Sequence, residues 1–298
     1  MSEPVLVEVE GRRLALSNLD KVLYPASGFT KGQVLDYYSR IAPALLAHLA
    51  GRPVTLKRAP GGVDQPAFYE KNAPARRPDW IQVVRLASPG STTQREHLDY
   101  LLLDGLPALM WVANLAALEL HVPQWRVAQT GQPGQIGEPE VPDLLVLDLD
   151  PGPHTTVVQC CEVALLLRER LAADGLTAQA KTSGSKGLQL AARVDGLDTV
   201  AYAKQIAQEL ERAHPALIVH QMATSLRPGK VLIDWSQNAQ AKTTICAYSL
   251  RIRPEPTCST PVTWDEVQAC RDPAELSFRT DHVLERVAGG GDLWSTLT

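Results

Sequence analysis

The chain has 298 residues, of which 45% are hydrophobic and 21% are charged, and its formal net charge at pH 7 is −4. These values are those of an ordinary soluble globular chain with enough length to bury a sizeable core. They exclude a protein that coats nucleic acid indiscriminately, and no apolar run is long enough to cross a membrane.

The cysteines and the N-terminus predict a cytoplasmic protein. The five cysteines are odd in number and contain no Cys-x-x-Cys pair, so neither a zinc site nor a disulfide framework is expected. No basic-then-apolar signal segment opens the chain. A local basic groove stays compatible with the net charge, because many cations fall in the first quarter of the chain: Arg12, Arg13, Lys21, Lys31, Arg52, Lys57, Arg58, Lys71, Arg76 and Arg77.

The first half of the chain is predicted to mix strands with two helices. Thr30 can cap a helix whose apolar residues keep helical spacing until Gly51, and Pro107 opens a second helix that should run to about His121. The segment 68–71 is placed in a loop-rich region, and a polar loop should join two paired strands. The predicted strands are 5–10 with 14–16, 54–58, and 81–86 with 98–103.

The second half follows the order β-α-β-β-α-β, which is that of a ferredoxin-like or RRM-like sheet. A loop from Gln129 to Pro142 should precede it, and a glycine break is expected at 288–291. We therefore predict an α+β fold in a single catalytic domain, with an N-terminal lobe at about 1–140, a core at about 141–252 and a tail at about 253–298. The predicted elements are strands 144–150, 176–181, 187–194 and 230–235, and helices 156–173, 198–213 and 264–270.

Two aspartates end the first strand of this core, just before Pro151 and Gly152. Because side chains alternate along a strand, Asp148 and Asp150 share one face, with Cα atoms roughly 6.5–7 Å apart. Two such carboxylates suit a hard divalent cation, Mg²⁺ or Mn²⁺. They are equally consistent with ordinary turn chemistry after a strand, and this segment alone leaves both interpretations open.

A third aspartate shifts the balance towards a metal site. Asp234 ends the apolar strand 231–233, and the β-α-β-β-α-β order brings this strand beside the one that carries Asp148 and Asp150. Three acids at the ends of adjacent strands are difficult to explain as turns. They are typical of a two-metal centre that activates an oxygen and steadies a leaving phosphate.

The glycine-rich segment from Ser183 to Gly187 lies between two predicted strands. Its backbone N–H groups and Lys186 could receive an oxyanion, with Ser183 and Ser185 alongside. The spacing is not that of a P-loop, and a plain hairpin turn is the alternative. Beside three acids, a triphosphate is a sensible ligand.

Other candidates are ambiguous when taken singly. Phe68 and Tyr69 could be core residues, or they could stack on an unpaired base next to Lys71. His121 could cap a helix or donate a hydrogen bond to a nucleotide, and the residues alone favour the structural role. Four cations near the predicted site have solvated surface charge as the simpler interpretation: Lys57, Arg58, Arg227 and Arg251.

Several segments, in order, resemble the polymerase domain of bacterial ligase D, a branch of the archaeo-eukaryotic primase superfamily. The resemblance runs nearly end to end, so a chance match is improbable. It implies a primase-polymerase fold and a template-dependent nucleotidyltransferase that acts in end joining or gap repair. The matching segments are 16–25, 51–53 with 57–58, 68–71, 118–125, 148–152, 181–188, 233–238, and 242–244 with 248–251.

The resemblance also implies roles for individual residues. Asp148, Asp150 and Asp234 would hold two metal ions, and nucleoside triphosphate would be the substrate, with ribonucleotides and manganese often preferred. Asn18, Lys21 and Lys31 would grip a downstream 5′-phosphate, and Phe68 and Tyr69 would stack near the templating base, with Arg58 and Lys71 also on the DNA side. The residues expected around the nucleotide are Lys57, His121, Ser183, Ser185, Lys186, Gln189, Arg227 and Arg251.

Two departures from the family pattern stand out. Gln189 replaces the usual histidine of the phosphate hairpin, and it can donate a hydrogen bond but carries no charge. Cys246-Ala247 replaces Ala-Pro and makes that loop less rigid. Neither change touches the three acids.

The expected partners are DNA with gaps or breaks, together with Ku and a separate ATP-dependent ligase, in a nucleoid-associated setting and without a membrane. The chain would be a stand-alone homologue or an excised domain. One alternative is a phosphohydrolase of the haloacid-dehalogenase type, with Asp148 as nucleophile. Another is a non-catalytic module that only binds 5′-phosphorylated ends.

Overall fold

The computed structural model describes residues 3–88, 96–128 and 136–298. The helices begin where the sequence places capping residues, and Thr30, Thr156 and Thr263 each close a capping box with the residue three positions later. Asp198 caps a fourth helix through its side chain. The α-helices in these ranges are α1 (Lys31–Leu49), α2 (Leu106–Asn114), α3 (Val157–Ala173), α4 (Thr199–Ala213), α5 (Trp264–Ala269) and α6 (Thr280–Gly290). No helix in the described ranges is long and apolar enough to span a membrane.

The strands in the described ranges form two main sheets and three small hairpins. In chain order they are β1 (Val5–Val9), β2 (Arg12–Leu16), β3 (Val22–Tyr24), β4 (Phe29–Thr30), β5 (Thr55–Arg58), β6 (Phe68–Glu70), β7 (Val83–Ala87), β8 (His97–Leu101), β9 (Ala117–Val122), β10 (Leu144–Pro151), β11 (Ala178–Thr182), β12 (Leu188–Arg193), β13 (Ile218–Val219), β14 (Val231–Asp234), β15 (Thr244–Ile245) and β16 (Pro261–Val262). The hairpins β1-β2 and β7-β8 confirm the predicted strand pairs.

A six-stranded sheet with the order β13-β14-β10-β12-β11-β16 forms the centre of the second half. Its middle four strands, with α3 and α4 as crossovers, have the predicted RRM-like arrangement. Leu145, Leu147 and Leu149 pack with both helices in one hydrophobic core. The opposite face of β10 contributes Val146 to a second core, as expected from the alternation of side chains along a strand.

A four-stranded sheet with the order β15-β9-β5-β6 belongs to the first half and packs with α1 and α2 in that second core. This arrangement confirms the predicted N-terminal α/β lobe against the RRM-like sheet. One strand of the second half joins the sheet of the first, because β15 pairs with β9, and β16 from the C-terminal part extends the six-stranded sheet beside β11. The numerical division at 140 and 252 remains a prediction.

Three predicted elements are wrong. The helix opened by Pro107 ends at Asn114, and Ala116 has a φ of 57° before β9 begins, so His121 lies in a strand and caps no helix. Phe68 and Tyr69 lie in β6, where they pair with β5, and not in a loop. The glycine break at 288–291 is the end of α6, which continues through Gly290 until Gly291 adopts a φ of 71°. The predicted polar loop before β8 and the loop from Gln129 lie partly outside the described residues.

Candidate active site

Strand β10 carries Asp148 and Asp150 on the face opposite to its leucines, as predicted. Asp148 is half-buried and Asp150 is exposed at the strand end. The Pro151-Gly152 turn sits tightly against the segment before β14, because a methyl group at Gly152 would lie 2.0 Å from the carbonyl oxygen of Arg227. The turn therefore ends the strand where both carboxylates reach the surface.

Asp234 lies beside them on β14. The antiparallel register places Asp148 directly opposite Asp234, so their Cα atoms are about 4.5–5.5 Å apart and their side chains share one face. Burial first, then repulsion from Asp150, raises the pKa of Asp148 well above its usual range, and the pKa of Asp150 is raised by lost hydration and by Asp234. The structure thus brings the three predicted acids together on one face of the sheet.

The Asp234 carboxylate is turned towards its own chain. It accepts hydrogen bonds from the Ser236 hydroxyl at 2.6 Å and from the Gln237 amide at 2.7 Å. Across the described ranges, no three Asp, Glu, His or Cys side chains already converge on a point that could hold a metal ion. The donor set nevertheless fits a hard divalent cation, since carboxylates with raised pKa values on one face are stabilised by positive charge. Rotation of Asp234 would complete it.

The glycine-rich hairpin packs closely on the acidic strand. A methyl group at Gly187 would lie 2.1 Å from the carbonyl oxygen of Leu149, so only glycine allows this approach. The hydroxyl oxygen of Ser183 accepts hydrogen bonds from the N–H groups of Ser185 and Gly187 at 3.2 and 3.1 Å. These two N–H groups therefore already have a partner, which corrects the picture of an open phosphate nest. Lys186 projects into solvent beside them.

Gln189 and Lys181 are buried on the same face as the acids, with 4% exposure each. Gln189 lies directly opposite Asp148 on the neighbouring strand and accepts a hydrogen bond from Lys181, whose Nζ lies 2.5 Å from Oε1. Burial lowers the pKa of Lys181 to about 7, with Asp148 among the charges that oppose this shift. The predicted contact of Gln189 with a nucleotide therefore competes with its hydrogen bond from Lys181.

Three predicted nucleotide-binding residues meet at Glu119, a residue that sequence reasoning missed. Its carboxylate, 1% exposed, lies 2.9 Å from Nε2 of His121, 3.3 Å from Nε of Arg251 and 3.7 Å from Nζ of Lys57. Burial alone would raise the pKa of Glu119, but the His121 hydrogen bond, Arg251 and the Ile252 amide together lower it to about 2. Glu119 and His121 are two residues apart on β9, so their side chains lie on the same face of the strand. That spacing is the signal in the sequence that could have identified the pair.

Arg227 and Arg251 connect this group to the acids, because both lower the pKa of Asp150 through their charge. Arg227 donates to the carbonyl of Met222 at 2.7 Å, while its Nε is buried and has no hydrogen-bond partner among the described atoms. Ser185 accepts a hydrogen bond from Arg253 instead of standing free. Of the four cations predicted near the acids, Arg227 and Arg251 are thus close enough to act on Asp150, whereas Lys57 lies on Glu119 and Arg58 pairs with Glu70.

Phe68 and Tyr69 are 44% and 58% exposed, so they are not core residues. The Arg58 guanidinium lies 5.3 Å from the Phe68 ring and pairs with Glu70 at 2.8 Å, while Lys57 lies 5.4 Å from the Tyr69 ring. Lys71 is exposed beside them. This surface offers two aromatic faces next to positive charge, as base stacking requires.

A separate pair of lysines lies at the start of α1. Lys31 is 5% exposed and donates to the carbonyl oxygen of Ser17 at 2.6 Å, while Lys21 donates to Pro60. Burial and the Lys21 charge lower the pKa of Lys31 to about 8. The first N–H groups of α1 bond to Lys21 and Leu19 carbonyls, so side chains, and not free helix N–H groups, must receive an anion here. Asn18 joins them in a turn with a φ of 53°.

Comparisons with known proteins agree with this geometry. The family profile described as LigD, primase-polymerase domain matches residues 30–294. The multifunctional non-homologous end joining DNA repair protein LigD of Mycobacterium tuberculosis is 46% identical over 96% of this chain, and the bifunctional LigD of Bacillus subtilis is 30% identical over 94%. These alignments cover 37% and 43% of the two relatives, so the chain spans well under half of their length.

Among solved structures, the polymerase domain from Mycobacterium tuberculosis ligase D in complex with DNA superposes with a TM-score of 0.87 at 44% identity. The alignment covers 96% of this chain and 98% of that one. The fold and the resemblance inferred from the sequence are thereby confirmed. The chain belongs to the LigD primase-polymerase domain family and is a nucleotidyltransferase of that class.

Proposed function

We propose that the chain adds nucleotides to a primer 3′-hydroxyl at gaps or ends of broken DNA, with a template strand and divalent metal ions. The observation that carries this proposal is the acid face formed by Asp148, Asp150 and Asp234, beside a cluster of cations that includes Arg227 and Arg251. Carboxylates for metal and cations for phosphate, side by side, suit transfer of a nucleotidyl group.

The three aspartates would hold the metal ions, with Asp234 turning away from Ser236 and Gln237 to do so. When bound, the ions would supply positive charge at the attacking hydroxyl and at the leaving pyrophosphate. The half-buried position of Asp148 limits its access to water and strengthens its interactions with charge. The preference between Mg²⁺ and Mn²⁺ belongs to the proposal, with Mn²⁺ favoured by the resemblance.

The triphosphate would lie between the acid face and the Glu119 cluster. Arg251 lies between Glu119 and the acid face, since it contacts Glu119 and its charge acts on Asp150. Lys57 on β5 and His121 on β9 are held in place by their contacts with Glu119. Burial lowers the pKa of His121, so the ring is suited to hydrogen bonding without charge. The unpartnered Nε of Arg227 can donate to a phosphate oxygen without breaking an internal bond.

The DNA would contact two surfaces on the N-terminal lobe. Phe68 and Tyr69 would stack on bases near the template position, and Lys21 and Lys31, with Asn18, would receive the downstream 5′-phosphate. Burial and the neighbouring Lys21 charge lower the pKa of Lys31, and a bound anion would offset both effects. Cooperation with Ku and a separate ligase, in a nucleoid-associated cytoplasmic setting, is part of the proposal and is suggested by the end-joining proteins among the relatives.

The test is primer extension on a gapped duplex that carries a downstream 5′-phosphate, with Mn²⁺ and nucleoside triphosphates. Wild type should extend the primer, and Asp148→Ala should lose this activity by at least about a thousandfold, while both proteins bind the duplex equally. Equal extension by the two proteins would contradict the proposal.

The same assays separate the alternatives. Binding of phosphorylated ends without incorporation under any metal would identify a non-catalytic end-binding module. Hydrolysis of a simple phosphomonoester without nucleic acid would favour the haloacid-dehalogenase type of enzyme. The antiparallel pairing of β10 with both of its neighbours and the family match favour nucleotidyl transfer.

A further inference from the structure

Four polar side chains form a row across the six-stranded sheet. The registers place Asp234 opposite Asp148, Asp148 opposite Gln189, and Gln189 opposite Lys181, on four neighbouring strands. Residues directly opposite in antiparallel strands share a face, so these side chains are successive lateral neighbours. The row therefore begins in the acid face and ends in a buried lysine.

Lys181 fixes which way the Gln189 amide points. Besides Gln189, its ammonium group donates to the carbonyl oxygen of Ile245 at 3.0 Å and to the hydroxyl oxygen of Ser259 at 2.7 Å. The Ser259 hydroxyl donates its own hydrogen to the Thr182 carbonyl oxygen at 2.8 Å, so towards the lysine it can only accept a hydrogen bond. An ammonium group has donors only, and Gln189 must present its oxygen to it. The amide NH₂ then faces Asp148.

We propose that Gln189 is a positioning residue that orients the Asp148 carboxylate, with Lys181 as its anchor, and that it is not a nucleotide ligand. This inference rests on the proposed function, because it assigns a role to Asp148 in holding metal. It also explains how an amide can stand where the family usually has histidine: an amide accepts from Lys181 and donates to Asp148 at once, without any change of tautomer. Partners that hold a metal-binding carboxylate in place affect metal affinity more than substrate affinity.

The experiment measures Mn²⁺ affinity of the protein alone, together with kcat and KM for nucleoside triphosphate, in Gln189→Leu. Mn²⁺ affinity should fall about tenfold and kcat should fall with it, while KM changes less than about twofold. Gln179→Leu is the matched control, since this residue lies on β11 on the same face as Lys181 and opposite Ala191. It should leave all three quantities unchanged.

Two further variants keep the test decisive. Lys181→Met removes the anchor and should reproduce the Gln189→Leu pattern, and Gln189→His should restore Mn²⁺ affinity to within about threefold of wild type, because a neutral imidazole can also accept and donate. A raised KM with unchanged Mn²⁺ affinity in Gln189→Leu would overturn the inference in favour of a nucleotide ligand. Unaltered kinetics and metal affinity would overturn it as well. A wild-type protein that neither binds Mn²⁺ nor extends a primer would instead remove the proposed function itself.

Discussion

Asp148 on the six-stranded sheet and Glu119 on the four-stranded sheet are both carboxylates withdrawn from water, yet their pKa values move in opposite directions. The neighbours of Asp148 include two more carboxylates, and its pKa is raised. Glu119 is surrounded by Lys57, His121 and Arg251, and its pKa is lowered to about 2 despite greater burial. Cations dominate the charged neighbours of Glu119, whereas repulsion between carboxylates dominates at Asp148.

The difference separates a structural charge cluster from a binding site. A paired group such as Glu119 stabilises the fold and leaves its cations in fixed positions. Unpaired like charges cost folding free energy, and a ligand of opposite charge recovers it. Lys21 and Lys31 repeat the second pattern with the opposite sign, because the pKa of Lys31 is lowered by burial and by its neighbour. The molecule thus contains one region that needs cations and one that needs an anion.

The largest expected effect concerns the acid face. Excess Mn²⁺ should stabilise wild type by about 2.7 kcal/mol at a concentration one hundred times the dissociation constant, whereas Asp148→Asn should gain almost nothing. Without metal the variant should be at least as stable as wild type, because one of three repelling charges is gone. Thermal unfolding with and without Mn²⁺ measures both. If the metal-free variant were less stable than wild type, Asp148 would stabilise the fold as Glu119 does, and the contrast between the two sites would be wrong.

Glu119→Gln should destabilise the fold, in contrast to Asp148→Asn without metal. It removes the counter-charge of Lys57 and Arg251 and should lower the free energy of unfolding by about 2 kcal/mol at pH 7, as measured by urea denaturation. Glu70→Gln is the control, because its ion pair with Arg58 is more exposed and should cost under about 1 kcal/mol. A depressed pKa stabilises the fold above the ordinary value of 4.5 and ceases to do so as the pH falls towards about 2. The stability difference between wild type and variant should disappear over that window.

Short-range pattern and chain order were enough to predict the acid face. Alternation along β10 separates Asp148 and Asp150 from the leucines, and the β-α-β-β-α-β order places Asp234 beside them, as the register of β10 with β14 confirms. Each inference depends on a regular period or on a common topology. The roles of Lys57, His121 and Arg251 came from the family resemblance and not from the pattern.

The Glu119 cluster could be found only if β9 were recognised as a strand, and its sequence does not favour that assignment. Every residue of β9 is buried, so the strand has no exposed face and continues the apolar pattern of α2. The turn between them uses Ala116 at a φ of 57°, where neither glycine nor asparagine marks the end of the helix. The sequence pattern therefore predicts a helix that continues to His121, and that helix includes Glu119. Similarly, the hydrogen bonds that the hairpin N–H groups donate to the Ser183 hydroxyl oxygen depend on the orientation of that side chain.

The lysine pair gives a smaller effect. Replacing Lys21 and Lys31 together by alanine should weaken binding to a gapped duplex with a 5′-phosphate about tenfold, or about 1.4 kcal/mol. Binding to the same duplex without the phosphate should change less than about twofold. Arg40→Ala is the control on the exposed face of α1, where Arg40 pairs only weakly with Asp36 at 3.6 Å. Equal losses on both duplexes would remove the 5′-phosphate assignment.

The smallest effect is the pH dependence of that preference. Because the pKa of Lys31 is lowered to about 8, the free protein loses this positive charge as the pH rises through that value, and affinity for a 5′-phosphate should fall by a few-fold between pH 7 and pH 9. A bound phosphate favours the charged form, so the midpoint in the complex should lie above the midpoint in the free protein. Lys31→Arg keeps its charge over the whole range and should flatten the profile in a fluorescence anisotropy titration. A wild-type preference that is constant up to pH 9 would mean that Lys31 does not contact the phosphate, and the anion-binding side of the comparison would then depend on Lys21 alone.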